Sequence, residues 1–134
     1  MSIDNPEQLR DRTKAFAIRI VRLFRAMPSG RDAQVIGTQL LRSGTSVAAN
    51  YRAACRSRSR AEFISRLGVV VEEADESLSW LEMLGDTGII TRTRLRELLK
   101  EADELTAIFT ATRRTSRNGG RSEITNHKSQ ITNG

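Results

Sequence analysis

Histidine, cysteine, proline and aromatic residues are all scarce in this chain of 134 residues. The only histidine is His127, close to the C-terminus, so we expect no histidine-based triad or general base inside a folded domain. No Walker-type phosphate loop and no GxGxxG motif occurs. Acidic residues cluster without the Glu-x-x-His motif of di-iron bundles. The sequence therefore predicts a protein that is not an enzyme and that uses no cofactor or metal.

Cys55 is the single cysteine, so no internal disulfide can form, which suits a reducing compartment. No stretch reaches the ~18 consecutive apolar residues of a membrane-spanning helix. The first residues also lack the apolar core of a signal peptide. We therefore expect a cytoplasmic protein without a membrane partner.

Pro6 and Pro28 are the only prolines, which leaves almost the whole chain free to be helical. Four segments carry apolar residues at steps of three and four, the spacing of an amphipathic helix. Turn signals separate them at 28–30, 56–60 and 86–88. Because short connections make neighbouring helices antiparallel, the sequence predicts an all-α fold, an antiparallel up-down-up-down four-helix bundle over residues 1–117.

Local signals refine the bounds of these helices. Asp4 and Asn5 are favourable N-caps before Pro6, and Ser59 with Glu62 forms the pattern of a capping box. Gly37 and Gly44 lie inside the second helix, where glycine costs about 1 kcal/mol relative to alanine, so another backbone should approach closely there. The last helix should fray near residues 115–117. The polar residues 118–134 predict a disordered tail.

The predicted third helix has more apolar residues than one core-facing stripe requires. A helix that is apolar on two faces buries both, so we expect the second face to contact another subunit. A broad stripe in a small core is the alternative interpretation. Trp80 is the strongest indication of such a contact, because a large exposed tryptophan side chain usually marks an interface. The candidate interface residues are Ile64, Val71, Trp80 and Met83.

Charge is segregated along the chain. The segment 42–66 contains one acid, Glu62, and six arginines, whereas the segment 67–90 contains six acids and no basic residue. The arginines are candidate phosphate contacts for RNA or DNA: Arg42, Arg52, Arg56, Arg58, Arg60 and Arg66. Alternatively, the basic segment pairs with the acidic segment of a neighbouring subunit, or the two cancel within one bundle. Few aromatic residues that could stack on bases accompany the arginines, so any contact with nucleic acid should be made to its phosphate backbone.

Ser43, Ser46 and Asn50 share one side of the predicted second helix. Buried polar groups must be hydrogen-bonded. We expect Asn50 to bond a carboxylate or a backbone carbonyl of the third helix and so to fix the register of the bundle. Ligand binding by this polar side is the alternative.

Three blocks of sequence carry a family resemblance: residues 39–50 (QLLRSGTSVAAN), residues 60–64 (RAEFI) and residues 76–82 (ESLSWLE). With this spacing the chain resembles the bacterial four helix bundle protein family, also called the 23S rRNA intervening-sequence protein family. It also looks like the accessory variability proteins of diversity-generating retroelements. Many members of the family follow the asparagine with Ile-Ala-Glu-Gly, whereas this chain has Tyr51-Arg52-Ala53-Ala54.

The resemblance implies a ring-shaped homopentamer with a basic surface for nucleic acid. It marks Arg42, Ser43, Ser46 and Asn50 on the second helix, and Phe63 and Trp80 on the third, as signature positions. The sequence thus leaves two hypotheses for function. One is an oligomeric RNA-binding accessory protein that uses the arginine-rich surface; the other is a scaffold ring that binds a protein partner and has no nucleic-acid role.

Overall fold

A computed structural model describes the backbone of residues 5–133 and the side chains of residues 5–119. Four helices span these residues: α1 (Pro6–Arg25), α2 (Arg31–Cys55), α3 (Arg60–Asp86) and α4 (Arg92–Asn133). No strand occurs within residues 5–133. The predicted all-α, antiparallel four-helix bundle is confirmed.

The helices pack mainly in chain order, α1 on α2, α2 on α3 and α3 on α4. The seam between α1 and α4 has the fewest contacts. Arg12 bridges this seam, because its guanidinium pairs with Glu101 and lies 3.1 Å from a carboxylate oxygen of Glu104. The bundle is therefore closest-packed along α2 and α3 and more open between its first and last helices.

The predicted start of α1 is confirmed, and a second polar residue contributes to it. Asn5 Oδ1 accepts from the backbone N–H of Gln8 at 2.8 Å, and Gln8 Oε1 accepts from the N–H of Asn5 at 2.9 Å. This reciprocal pair is a capping box that satisfies two backbone donors. Pro6 occupies the first helical turn, where it needs no acceptor.

The start of α3 differs in one detail from the predicted capping box. Ser59 Oγ accepts from the N–H of Glu62 at 3.1 Å, as expected. The Glu62 carboxylate, however, accepts from the N–H of Arg58 at 3.2 Å, one residue before the cap. The cap thus also fixes the turn that carries the arginines.

The core consists mostly of leucine, isoleucine, valine and alanine, with three large rings. Tyr51 of α2 and Phe109 of α4 meet with ring centroids 4.9 Å apart. Steps of three and four along the sequence predict Phe24 on the buried side of α1 and Leu78 on that of α3, whereas the structure buries Leu23 and Ser77. The stripe of α3 is therefore rotated slightly from the predicted one, and it presents a serine to α2.

The sequence predicts close approach of another backbone at Gly37 and Gly44, but the atoms nearest to Gly44 belong to a side chain of α1. A Cβ atom at Gly44 would lie 2.9 Å from Cγ1 of Ile20, closer than real Cβ contacts allow. Glycine at this position lets α1 and α2 pack closely, although glycine is a poorer helix former than alanine.

Helix α4 continues to Asn133, beyond the predicted end near residues 115–117. The polar residues expected to loosen it bond carbonyl groups one turn back: Thr112 Oγ1 donates to Ile108 O, and Ser116 Oγ donates to Thr112 O. Side chains after residue 119 lie outside the described residues, so the division into a bundle at 1–117 and a disordered tail at 118–134 stays a prediction.

Candidate nucleic-acid interface

The antiparallel arrangement collects basic side chains at one end of the bundle. This end comprises the start of α1, the end of α2, the turn after it, the start of α3 and the segment 108–119 of α4. Residues 5–16, 50–68 and 108–119 carry eleven arginines and lysines against three acids, Glu7, Asp11 and Glu62. Their net charge of +8 exceeds the +6 of the whole chain, so we call this region the arginine-rich end.

Two neighbouring grooves form the flank of the arginine-rich end. The groove between α1 and α2 is lined by Arg10 and Lys14 on one side and by Arg52 and Arg56 on the other. Arg52 and Arg56 also line the groove between α2 and α3, together with Arg58 and Arg66. The shared pair joins the two grooves into one continuous basic surface across three helices, which we call the flank surface.

Two acids line the flank surface, Asp11 in the first groove and Glu62 in the second, and local hydrogen bonds hold Glu62. It accepts from Arg66 Nε at 3.1 Å as well as from the N–H of Arg58. The Arg58 N–H, and then Arg66, hold the pKa of Glu62 below its usual value. This carboxylate therefore orders the turn and Arg66 while leaving Arg52 and Arg56 unneutralised by it.

Arg42 does not belong to this surface. Its guanidinium pairs with Glu76 and lies 3.3 Å from a Glu73 oxygen, both on α3. The hydrogen bond to Glu76 is the main cause that raises the pKa of Arg42, and the same bond, followed by one from Trp80, lowers the pKa of Glu76. Here the charges of α2 and α3 cancel within one bundle, which was one of the three interpretations of the charge pattern.

Arg60 lies apart from the flank surface, in a cleft at the tip of the bundle with Phe63 and Tyr51. Of the six predicted arginines, the structure thus brings four together on the flank surface, places Arg60 at the tip and pairs Arg42 with acids elsewhere.

Sequence reasoning missed the basic residues that α1 and α4 add to this end. Arg113, Arg114 and Arg117 line a third groove, beside Val71 of α3. Arg113 Nε donates to the carbonyl of Ile64 at 3.1 Å, and its guanidinium lies where a Cβ at Gly68 would be 3.0 Å away. An up-down-up-down topology brings the start of α1 and the later part of α4 next to the α2–α3 turn. The predicted topology could therefore have indicated that these basic residues share one end of the bundle.

The polar side of α2 is arranged differently from the prediction. Asn50 donates from Nδ2 to Ser46 O, on its own helix, at 2.8 Å. The bond across to α3 is made by Ser43, whose Oγ lies 3.0 Å from Ser77 Oγ, with both residues fully buried. A short hydroxyl fits the close α2–α3 packing, whereas the side chain of Asn50 is only half-buried.

The candidate interface residues fall into two groups. Met83 is 41% exposed, whereas Ile64, Val71 and Trp80 are half-buried. Trp80 packs against the core and donates from Nε1 to Glu76 at 3.2 Å, so its indole is less exposed than expected. Val69, another apolar residue of α3, is 39% exposed.

Within the described residues, no group of three or more His, Cys, Asp or Glu side chains is arranged to hold a metal ion. The same residues contain no helix that is both long and apolar enough to cross a bilayer.

A family model described as "23S rRNA-intervening sequence protein" matches residues 8–111 of the chain. The chain belongs to the 23S rRNA-intervening sequence protein family. A crystal structure from Bacteroides thetaiotaomicron VPI-5482, described as a protein of unknown function from the S23 ribosomal protein family, is similar at 34% identity. Its TM-score is 0.76, over 81% of this chain and 97% of the other. None of the curated proteins matches the chain.

The family match separates the basic residues of the arginine-rich end into two sets. The flank surface, from Arg10 to Arg66, lies within the part that matches the 23S rRNA-intervening sequence protein family. Arg113, Arg114 and Arg117 follow the last matched residue. The third groove is therefore completed by residues outside the matched range.

Proposed function

We propose that this chain is a non-enzymatic, oligomeric accessory protein that binds RNA through the phosphate backbone. The observation that carries the proposal is the flank surface, on which six basic residues of three adjacent helices and the α2–α3 turn outnumber the two acids, Asp11 and Glu62. The family to which the chain belongs supports RNA as the nucleic acid.

The character of the surface favours phosphates over bases. Guanidinium groups form forked hydrogen bonds with phosphate oxygens, and five of the six basic residues of the flank surface are arginines. The two grooves are lined by alanine, threonine and charged residues, without an aromatic ring on which a base could stack. Binding should therefore depend steeply on salt and only weakly on sequence.

Self-association is part of the proposal, and it rests on α3. Val69 and Met83 expose apolar side chains on a helix whose other side is already buried in the core. Repetition of the flank surface around an oligomer would multiply phosphate contacts on one RNA and so increase its affinity.

The test is a titration of labelled structured RNA, followed by fluorescence anisotropy at several salt concentrations. Reversing Arg52, Arg56 and Arg58 to glutamate should abolish binding. Reversing Arg25, Arg94 and Arg96, exposed at the opposite end, is the matched control for net charge and should leave most of the affinity intact. Equal losses in both variants would contradict a localised site, and flat salt dependence would contradict a phosphate-directed one.

A scaffold that binds a protein partner is the second candidate, favoured by the exposed acids of α3. Glu72, Asp75 and Glu82 are exposed beside the apolar Val69 and Met83, a mixture suited to a basic and apolar protein surface. Co-purification of a protein that survives nuclease and high salt would favour this function over RNA binding.

A further inference from the structure

Helix α3 lies between two basic grooves at the arginine-rich end. On its α2 side is the second groove of the flank surface, whose arginines outside α3 are Arg52, Arg56 and Arg58. On its α4 side is the third groove, whose arginines are Arg113, Arg114 and Arg117. Each side of this one helix therefore has its own row of guanidinium groups.

The arginines of the third groove are not neutralised by acids. Its described lining contains no carboxylate, and none of its three arginines pairs with an acid within residues 5–119. Along α4, no acid occurs between Glu104 and Glu123. A group of positive charges without opposing acids attracts a polyanion.

The backbone of α3 holds Arg113 in place. Its Nε donates to the carbonyl of Ile64 at 3.1 Å. A Cβ at Gly68 would lie 3.0 Å from a terminal nitrogen of Arg113 and 3.1 Å from Nε, so the missing side chain makes room for the guanidinium against α3. A guanidinium has further N–H donors, and these have no acceptor among the described residues. Arg113 is therefore a positioned fork with donors left for an anion.

The outer surface of α3 between the two grooves is uncharged at Ala61 and Ser65, which are both exposed. These residues lie one helical turn apart, on the side of α3 opposite the buried Leu67 and Val70. The next residue on this outer side to carry a charge is the exposed Glu72, which would repel phosphate. A polyanion that contacts both grooves would therefore cross α3 over residues 61–68.

Two rows of positive charge on either side of one helix fit two phosphate backbones. Unpaired bases are usually bound by stacking on aromatic rings, and the described lining of these two grooves contains none. Paired bases need no such ring. The minor groove of an RNA duplex is wide and shallow and displays 2′-hydroxyl groups, whereas its major groove is too narrow for side chains to read.

We infer that α3 binds double-stranded RNA across its minor groove. Residues 61–68 lie in the groove, the flank surface contacts the phosphates of one strand, and the third groove contacts those of the other. The exposed hydroxyl of Ser65 can exchange hydrogen bonds with a 2′-hydroxyl group. The inference rests on the proposed function and specifies the form of RNA that is bound.

The experiment compares a short RNA duplex, one of its single strands and a DNA duplex of the same sequence in anisotropy titrations. The RNA duplex should bind tightest. The variant Arg113→Gln/Arg114→Gln/Arg117→Gln should lower duplex affinity by at least about tenfold, the effect of one hydrogen bond to a charged group. It should leave the single strand, which needs only the flank surface, almost unaffected. Arg25→Gln/Arg94→Gln/Arg96→Gln, at exposed residues of the opposite end, makes the same change of charge and should preserve the duplex preference.

A second variant tests the position of Arg113 without removing a charge. Gly68→Ala should displace the guanidinium and weaken duplex binding as Arg113→Gln does. Its melting temperature should not fall, because alanine is the better helix former and the end of the arginine side chain can move. The double variant should bind no more weakly than either single variant, since both act on one contact. Unchanged duplex affinity in Gly68→Ala would contradict the contact.

The outcomes separate the inference from the proposed function. Equal binding of duplex and single-stranded RNA, or a duplex preference that persists without the three arginines of the third groove, would overturn the inference and leave RNA binding by the flank surface in place. A DNA duplex bound as tightly as the RNA duplex would also overturn it. If light scattering showed that the third-groove variant loses self-association and keeps its duplex affinity, the groove would instead be a contact between copies. Failure of the wild type to bind any RNA would contradict the proposed function itself.

Discussion

Ser43 of α2 and Ser77 of α3 lie with their hydroxyl oxygens 3.0 Å apart, fully buried in the contact between the two helices. The oxygen of Ser77 is also 2.8 Å from the carbonyl of Glu73 on its own helix. The pair therefore ties a side chain of α2 to the backbone of α3 at the centre of the most extensive contact in the bundle.

Removing either hydroxyl should lower the free energy of unfolding by about 1 kcal/mol, the net contribution of a typical buried hydrogen bond. The double variant Ser43→Ala/Ser77→Ala should lose less than the sum of the single losses, because the two residues share one bond. Urea denaturation measures all three variants. Ser79→Ala, at an exposed serine of α3, is the control, and strictly additive losses would contradict the shared bond.

Gly44→Ala should destabilise the bundle although alanine is the better helix former. The new Cβ would meet Ile20 at 2.9 Å, and overpacking of this kind costs about 1–3 kcal/mol. Gly37→Ala is the matched comparison: its nearest neighbours are the side-chain ends of Phe24 at 3.2 Å and Met27 at 3.3 Å, which can move. Thermal unfolding should show the larger loss for Gly44→Ala, and the reverse order would contradict the close contact.

The Glu76 carboxylate makes stability depend on pH. Hydrogen bonds from Arg42 and Trp80 lower the pKa of Glu76 in the folded state. Its contribution to the free energy of unfolding is therefore complete above the unfolded-state pKa of about 4.3, and it is lost as the pH falls through the folded-state pKa. Glu76→Gln should therefore be slightly less stable than the wild type at pH 7 and equally stable in strong acid. Denaturation curves at several pH values test this, and a constant difference would contradict it.

The salt dependence of RNA binding should distinguish arginines that contact phosphate from those that pair with acids. Arg56→Gln should reduce the slope of log affinity against log salt by about 1. Arg42→Gln should leave the slope unchanged, because Glu73 and Glu76 already occupy the guanidinium. Anisotropy titrations of both variants provide the measurement, and similar slopes for the two would count against the flank surface.

Self-association should depend on the exposed apolar residues of α3 more than on the half-buried Trp80. Met83→Glu places a charge on the exposed side and should shift the protein towards monomer while the helical circular dichroism is retained. Light scattering coupled to size exclusion reports the change. Glu82→Gln, at the adjacent exposed position, is the control; a monomeric wild type would contradict the assembly altogether.

The fold could be predicted from the sequence because all four helices have an apolar period and two of them begin at a polar cap. Asn5 and Ser59 begin α1 and α3 as their patterns indicate. The rotation of α3 could not be predicted, since Ser77 is polar and its burial depends on a partner, Ser43, thirty-four residues away in sequence.

The candidate site could be predicted only in part, for a related reason. The local run of arginines identified the α2–α3 turn, but Arg42 belongs to the same run and is neutralised by acids that only packing brings near. Arg10 and Lys14, in turn, lie 32 and 28 residues before Arg42, the first arginine of the run, and the topology brings them beside it. The order of charged residues in the sequence therefore predicts the basic surface less well than their positions in the folded bundle.

The order in which the helices pack has a consequence for how the chain reaches this structure. Since each helix contacts chiefly the next one along the chain, most tertiary contacts close short loops. Proteins with such local contacts fold within microseconds to milliseconds. We expect a hairpin of α2 and α3 to form early and the first helix to exchange its amide hydrogens soonest, because few contacts secure it to the last.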